Sequence, residues 1–266
     1  RPGAQLCGCE SRIAAMQRDQ YLHRLGILSP VAPTLDGLAL LQQAHLLTTP
    51  FENFSVREGE PIMLDESLLV EKVVNRRRGG FCYELNGAFG WLLRQLGFSV
   101  TRISARVYSG ERQTFGPEFD HMALLVHLDQ VYLVDVGFGD SARWPIPMPN
   151  GETEDVSGRY RVRRDRHTPD GFVLQRHEQT AWAAQYAFTT QPCQLADYAE
   201  MCHYHSHSPA SHFTQRTVCT IATPTGRLTL TPDALTVTEG ASKQKRAVGS
   251  QAEFDALLLE HFGIRR

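Results

Sequence analysis

Two spacings of apolar residues divide the chain. Residues 17–96 read as helix-rich, with hydrophobic positions recurring every three or four residues; from Phe98 they recur every second residue, as in a half-buried strand. Leu35, Leu38, Leu41 and Leu46 mark one helix, with Thr34 placed to cap it and Thr48-Thr49-Pro50 ending it before Phe51. A second is expected from Ser67 to Arg77 on Leu68, Leu69, Val73 and Val74, with Gly79-Gly80 breaking it. A third carries apolar residues at 82, 85, 88, 89, 92, 93 and 96, and Gly97 supplies the left-handed stop.

Six strand-like runs follow: SVTRISARVY, HMALLVHL, VYLVDVGFG, GRYRVRR, GFVLQRHE and AWAAQYAF, separated by Gly, Asp and Pro turns. Strands that succeed one another without long helices pair antiparallel, so residues 98–190 predict a barrel or curled sheet. Leu195 to Tyr204 reads as a short helix. Four further short strands, TVCTIATP, GRLTLTP, ALTVTEG and KRAVGS, precede a capped amphipathic helix in SQAEFDALLLEHFGI. The fold class expected is α+β and multidomain. Its parts are a helical bundle over 16–97, an antiparallel β-barrel over 98–194, a connector over 195–215 and an α/β lid over 216–266. Residues 1–15 precede Met16, which looks like a natural start, and are expected to be an extension or expression remnant; Cys7 and Cys9 within them are expected in a disordered tail.

Composition narrows the function classes. At 266 residues, 42% hydrophobic and 21% charged, the chain can bury a sizeable core and shows no bias toward disorder. A net charge of -2 leaves no basic excess for a phosphate backbone, which argues against nucleic acid. No apolar run approaches the roughly 20 residues of a membrane span. Six scattered cysteines favour a reduced, cytoplasmic setting over a disulfide framework, so thiol chemistry is open.

The stretch RRRGGFCYELNGAFGWLLRQLGF places Cys82 just after a Gly-Gly pair, at the start of a helix. A thiol is a few per cent thiolate at neutral pH, and only the thiolate attacks, so a reactive Cys needs a stabilising setting. The unpaired amides and positive dipole end of a helix supply part of it. The rest needs a His to hold the proton and a third group to orient the His. Among 11 His residues, His121 has the best local reason, opening HMALLVHL after a turn; Asp135 lies in the next strand, amid Val and Leu, where a carboxylate must find a partner. A two-residue hairpin loop would set His121 and Asp135 on opposite faces, so their cooperation requires an odd loop such as 128–130, or a bulge. Taken alone, Cys82 reads better as a buried inert thiol than as a reactive one.

RRRGGFCYELN, PFENFSV at 50–56 and DVGFG at 135–139 together resemble, in order and spacing, the motifs of the arylamine N-acetyltransferases, and the resemblance continues through SPASHF at 208–213 and the terminal HFGI. It implies a helical bundle, β-barrel and α/β lid around a transglutaminase- or cysteine-protease-like core, and a catalytic triad of Cys82, His121 and Asp135. It further implies acetyl-CoA as donor, arylamines or hydrazines as acceptors in xenobiotic metabolism, and a ping-pong cycle through acetyl-cysteine. Phe51, Phe138 and Phe213 match family positions that line the acceptor pocket, and Glu52 and Arg77 match a buried pair steadying the segment before the nucleophile. The turn between Phe115 and Phe119 is a candidate CoA contact. No metal is implied.

Two other classes compete. One is a different Cys-His-Asp enzyme, a hydrolase or an amide synthase. The other is a non-enzymatic metal- or ligand-binding protein built on CHYHSHSPASH, Cys202 to His212; its His residues read as alternating rather than as a helical i, i+4 pair, which disfavours metal.

Overall fold

The computed structural model describes residues 3–166 and 168–266, with the side chains of the first helix described from Arg12 onward. Helices α1 (Gly3–Arg24) and α2 (Leu35–Thr48) are followed by a two-residue strand, β1 (Phe51–Glu52), and by α3 (Phe54–Glu58), α4 (Glu66–Val74) and α5 (Cys82–Gln95). Thr34 Oγ1 accepts from Gly37 N at 3.2 Å, as its position predicts. The Asp65 carboxylate accepts from Ser67 and Leu68 at the start of α4. That helix ends at Val74, short of the expected Arg77, and Arg77 itself adopts φ 52, which turns the chain toward the Gly-Gly pair. Helix α1 begins inside the segment that the sequence sets apart, while the side chains of Cys7 and Cys9 lie outside the described residues.

Strands β2 (Ser99–Ser109), β3 (Thr114–Phe115), β4 (His121–His127), β5 (Val131–Val134), β6 (Ile146–Pro147), β7 (Glu152–Asp155), β8 (Gly158–Arg164), β9 (Gly171–Glu178) and β10 (Ala181–Thr189) make one antiparallel sheet. Its order is β6-β5-β4-β2-β10-β9-β8-β7, with β3 on the far end of β2. β6 also packs against β7 and β8, so the sheet edges meet in a nearly closed barrel. Five of the six apolar runs coincide with β2, β4, β8, β9 and β10, whereas the run over 131–139 is a strand only as β5, so Asp135 lies just past the strand end rather than within it; β6 and β7 carry no such run.

β4 explains how barrel and bundle share a wall. Ala123 and Leu125 face the barrel interior with Ile103, Leu133 and Tyr186. Leu124 and Val126 face outward onto Leu85, Phe89 and Leu92 of α5. A strand buried on both faces carries a continuous apolar run, which is what HMALLVH is.

A single-turn 3-10 helix (Leu195–Tyr198), α6 (Ala199–His207) and α7 (His212–Gln215) connect the barrel to a second sheet, formed by β11 (Cys219–Thr223), β12 (Gly226–Thr231), β13 (Ala234–Glu239) and β14 (Ser242–Ala247). α8 (Gln251–Phe262) lays Phe254, Leu257, Leu258 and Phe262 on that sheet. The sheet order is β1-β11-β12-β13-β14. β1 also bridges to Gly80, and Glu52 N donates to Gly80 O at 2.9 Å, so two residues join the bundle, the second sheet and the segment before α5. Among the described residues no helix is long and apolar enough to cross a membrane.

Candidate functional site

β4 and β5 are joined by three residues, 128–130, with His127 paired to Val131 and Leu124 to Val134. That register, continued, sets residue 135 opposite 123, two residues from His121, so both side chains point to one face. The odd loop that cooperation required is present. His121 Nε2 lies 2.7 Å from Asp135 Oδ2, and both residues are buried.

Asp135 is held from four sides. Asn86 Nδ2 and Gly137 N each donate to Oδ1 at 2.9 Å, and Tyr186 OH donates to Oδ2 at 3.1 Å beside the His121 ring. Burial is the largest influence and pushes the carboxyl up, but His121, Asn86 and Gly137 outweigh it and the net shift is downward. Burial likewise works against charge on His121, and Asp135, with a smaller contribution from a hydrogen bond to Cys82, overrides it and raises the imidazole well above its ordinary value. Asp135 therefore favours the protonated form of His121, the form it reaches when it takes up a proton. With Nε2 taken by Asp135, Nδ1 is the nitrogen left for the thiol.

Cys82 is the first residue of α5. The helix lacks a side-chain cap at Phe81; instead Glu84 reaches back and accepts from Phe81 N at 3.1 Å. Burying that carboxylate requires a partner, and Lys72 supplies it while also donating to Ser55. One turn on, Asn86 carries the Asp135 contact, donates to Met122 O at 2.7 Å and accepts from Val136 N at 3.0 Å. The spacing C-x-E-x-N thus places Cys82, helix cap and Asp135 clamp on the first turns of one helix.

Two glycines let the backbones meet here. A Cβ on Gly79 would lie 1.9 Å from Pro50 O, and one on Gly137 would lie 2.8 Å from Cys82 Cα. The supporting pair differs from the expectation: Glu52 is joined by Arg78, whose Nε donates to Oε1 at 3.0 Å, while Arg77 is exposed. The left-handed turn at Arg77 directs that side chain outward and brings the next one in. The second Glu52 oxygen accepts from Phe54 N at 2.7 Å, so the pair joins the segment before Cys82 to the start of α3.

Cys82 and His121 open onto a cavity of about 810 Å³. Phe51, Phe138 and Phe213 all line it, as do Gly116 and Pro117 of the 115–119 turn. The Phe138 ring meets His121 edge-on at 5.2 Å, and Phe51 and Phe213 lie 6.1 Å apart. The sequence reading brought together Cys82, His121, Asp135 and the three Phe residues. Asn86 and Gly137 stand in the two motifs RRRGGFCYELN and DVGFG without a role assigned to them there, and Tyr186 carries no signal of its own.

The His-rich connector also departs from expectation. α6 puts His203 and His207 one turn apart with rings stacked at 4.2 Å, so that pair is helical and not alternating. His205 turns inward instead and lines the cavity with His212. Among the described residues no group of three or more His, Cys, Asp or Glu side chains is gathered to hold a metal.

The sequence profile of an N-acetyltransferase family matches residues 34–265. Arylamine N-acetyltransferases of Mycobacterium tuberculosis and Escherichia coli are 34% and 33% identical over 94% and 92% of this chain, and 90% and 88% of their own lengths. The solved arylamine N-acetyltransferase of Salmonella typhimurium superposes with a TM-score of 0.87 at 30% identity, covering 93% of this chain and 91% of that one. One from Bacillus cereus, described as having a Cys-His-Glu catalytic triad, gives 0.87 at 27% identity, with 94% and 99% covered. Here the carboxylate beside His121 is the shorter Asp135. With this sequence, this fold and this cysteine beside a His–carboxylate pair, the chain belongs to the arylamine N-acetyltransferase family.

Proposed function

We propose that this protein transfers an acetyl group from acetyl-CoA to the nitrogen of arylamines or arylhydrazines, through an acetyl-Cys82 intermediate. The observation that carries the reading is Cys82 at a helix start, beside the His121–Asp135 pair, on the wall of an aromatic-lined cavity.

Each step follows from the chemistry of these groups. His121 takes the thiol proton, and the Cys82 sulfur attacks the thioester carbonyl carbon. The carbon–sulfur bond to CoA breaks, and the departing CoA thiolate recovers a proton from His121. The amine nitrogen then attacks acetyl-Cys82, the Cys82 sulfur leaves with its electron pair, and His121 takes the proton lost by the amine. Asp135 holds the imidazole orientation through both halves. The amides of Cys82 and Tyr83, which precede the first intrahelical bonds of α5, supply the oxyanion contacts. Phe51, Phe138 and Phe213 offer flat apolar walls to the aromatic acceptor. Glu52 and Arg78 steady the segment before the nucleophile. Cys82, Cys193, Cys202 and Cys219 are free thiols, which suits a reducing, cytoplasmic setting.

Steady-state kinetics with acetyl-CoA and an arylamine test this. Parallel double-reciprocal lines, with turnover abolished by Cys82→Ala, are expected. Intersecting lines, or turnover retained in Cys82→Ala, would contradict the covalent route.

A further inference from the structure

Asp120, the residue before His121, joins three walls of the cavity. Its Oδ1 lies 3.0 Å from His205 Nε2 on α6. Its Oδ2 accepts from Val107 N on β2 at 3.3 Å. Its backbone carbonyl accepts from Tyr83 OH on α5 at 3.3 Å, alongside the 2.6 Å bond from the same hydroxyl to Phe119 O. The turn after β3 closes over the carboxylate as well, for a Cβ on Gly116 would lie 2.5 Å from Oδ2.

The line of contacts continues beyond His205. Its Nδ1 faces Ser211 Oγ at 3.4 Å; that hydroxyl donates to His205 O at 3.2 Å and accepts from Phe213 N at 3.3 Å. The His205 ring also meets Phe213 edge-on at 5.3 Å. Asp120, His205, Ser211 and Phe213 all line the cavity that holds Cys82. Both nitrogens of His205 are engaged within the protein, and both oxygens of Asp120 likewise. Neither group is free to exchange a proton with substrate, so the pair's capacity is to hold the wall.

We infer that Asp120 and His205 are positioning residues that fix the connector and the Phe213 ring against the catalytic strand, and so set acceptor affinity rather than the reactivity of Cys82. This inference rests on the acetyl-transfer reading and assigns to that site a determinant of its second half-reaction. The Phe213 carbonyl is held separately by Asn53 Nδ2 at 2.8 Å, so losing the pair loosens the ring and the α6–α7 turn without detaching the backbone. The effect is therefore graded.

Single-turnover kinetics separate the halves. His205→Phe keeps a ring against Tyr83 and Phe213 and removes both hydrogen bonds; His205→Gln keeps a donor for Asp120. Acetylation by acetyl-CoA is followed by intact mass, and discharge of the acetyl-enzyme is followed against arylamine concentration. In His205→Phe the amine concentration for half-maximal discharge is expected to rise about tenfold, the loss of one charge-assisted hydrogen bond, while acetylation changes by less than about threefold. His205→Gln is expected to recover most of the difference. An unchanged amine dependence, equal slowing of both halves, or no recovery in His205→Gln would overturn the inference. If His205→Phe does not fold, Asp120→Asn carries the same comparison. A parent that takes no acetyl group defeats the acetyl-transfer reading and this inference with it; an acetylated parent with unaltered variants defeats this inference alone.

Discussion

Gly137→Ala places one methyl group against Cys82. The added Cβ would meet Asn86 Nδ2 at 2.6 Å, Cys82 Cα at 2.8 Å and Cys82 O at 3.0 Å, where ordinary contacts begin at 3.4 Å. Restoring contact with the Cα alone moves the loop and α5 apart by about 0.6 Å, from 3.4 less 2.8, and two of the three neighbours are helix backbone that cannot rotate away. That displacement stretches the Asn86–Asp135 and Gly137–Asp135 bonds together, because all converge at this point. Overpacking of this kind costs about 1–3 kcal/mol, a fall in Tm of roughly 3–10 °C for a chain of this size. Misplacing a nucleophile by a substantial fraction of 1 Å slows acetylation on the order of 10- to 100-fold. Gly90→Ala in the same helix is the control: its Cβ would reach Leu124 at an ordinary 3.4 Å, so it is expected to stabilise by up to about 1 kcal/mol through helix propensity, with little change in rate. Melting curves and the rate of acetyl-enzyme formation read both. A Gly137→Ala protein with parental Tm and a rate within about twofold would refute the close-approach argument.

Arg78→Met leaves Glu52 buried without its cation and is expected to cost about 3–5 kcal/mol, whereas Arg77→Met should stay within about 0.5 kcal/mol in urea unfolding. Burial foremost, then the Arg24 charge, lowers His45 from 6.5 to about 3, while Tyr21 OH lies 3.0 Å from its Nε2. A depressed folded value means the neutral ring's contribution is full above pH 6.5 and drains away as pH falls toward 3, by on the order of a few kcal/mol. Replacing both partners, Tyr21→Phe with His45→Leu, should be near neutral at pH 7 and flatten that acid limb in Tm measured against pH. His121 has the opposite sign: its raised value stabilises the fold fully below about pH 6.5, a contribution lost as pH climbs through the raised value. Asp135→Asn removes the main cause of that rise and leaves burial unopposed, so imidazole NMR should show His121 titrating far lower, with acetylation slowed on the order of 10³- to 10⁴-fold, as for a Ser-His-Asp triad.

Legibility in the sequence followed the range of each signal. Thr34, Gly97 and the 82–96 apolar face act within one or two turns, and the helices appear where those residues put them. The longer barrel strands read from their period, which the short β3, β6 and β7 do not show. β1 did not, since two residues have no period and their pairing with β11 spans the chain. β14 is fully exposed and rich in Lys and Arg, a protected sheet edge with no apolar alternation, so its position was misread by about three residues. Cys82, His121 and Asp135 were nominated by chemistry and by motif. Parity alone could not decide whether His121 and Asp135 meet, because one loop residue reverses it. The exchange of Arg77 for Arg78 has the same origin at smaller scale: one left-handed residue decides which of three consecutive arginines turns inward.

Acetyl transfer by this route requires that Cys82 itself carries the acetyl group. Intact-mass spectrometry after mixing with acetyl-CoA and no amine, followed by peptide mapping, tests it directly. A single acetyl group on Cys82, absent in Cys82→Ser and discharged by an added arylamine, is the expected result; no adduct, or an equal adduct on both proteins, would contradict the account.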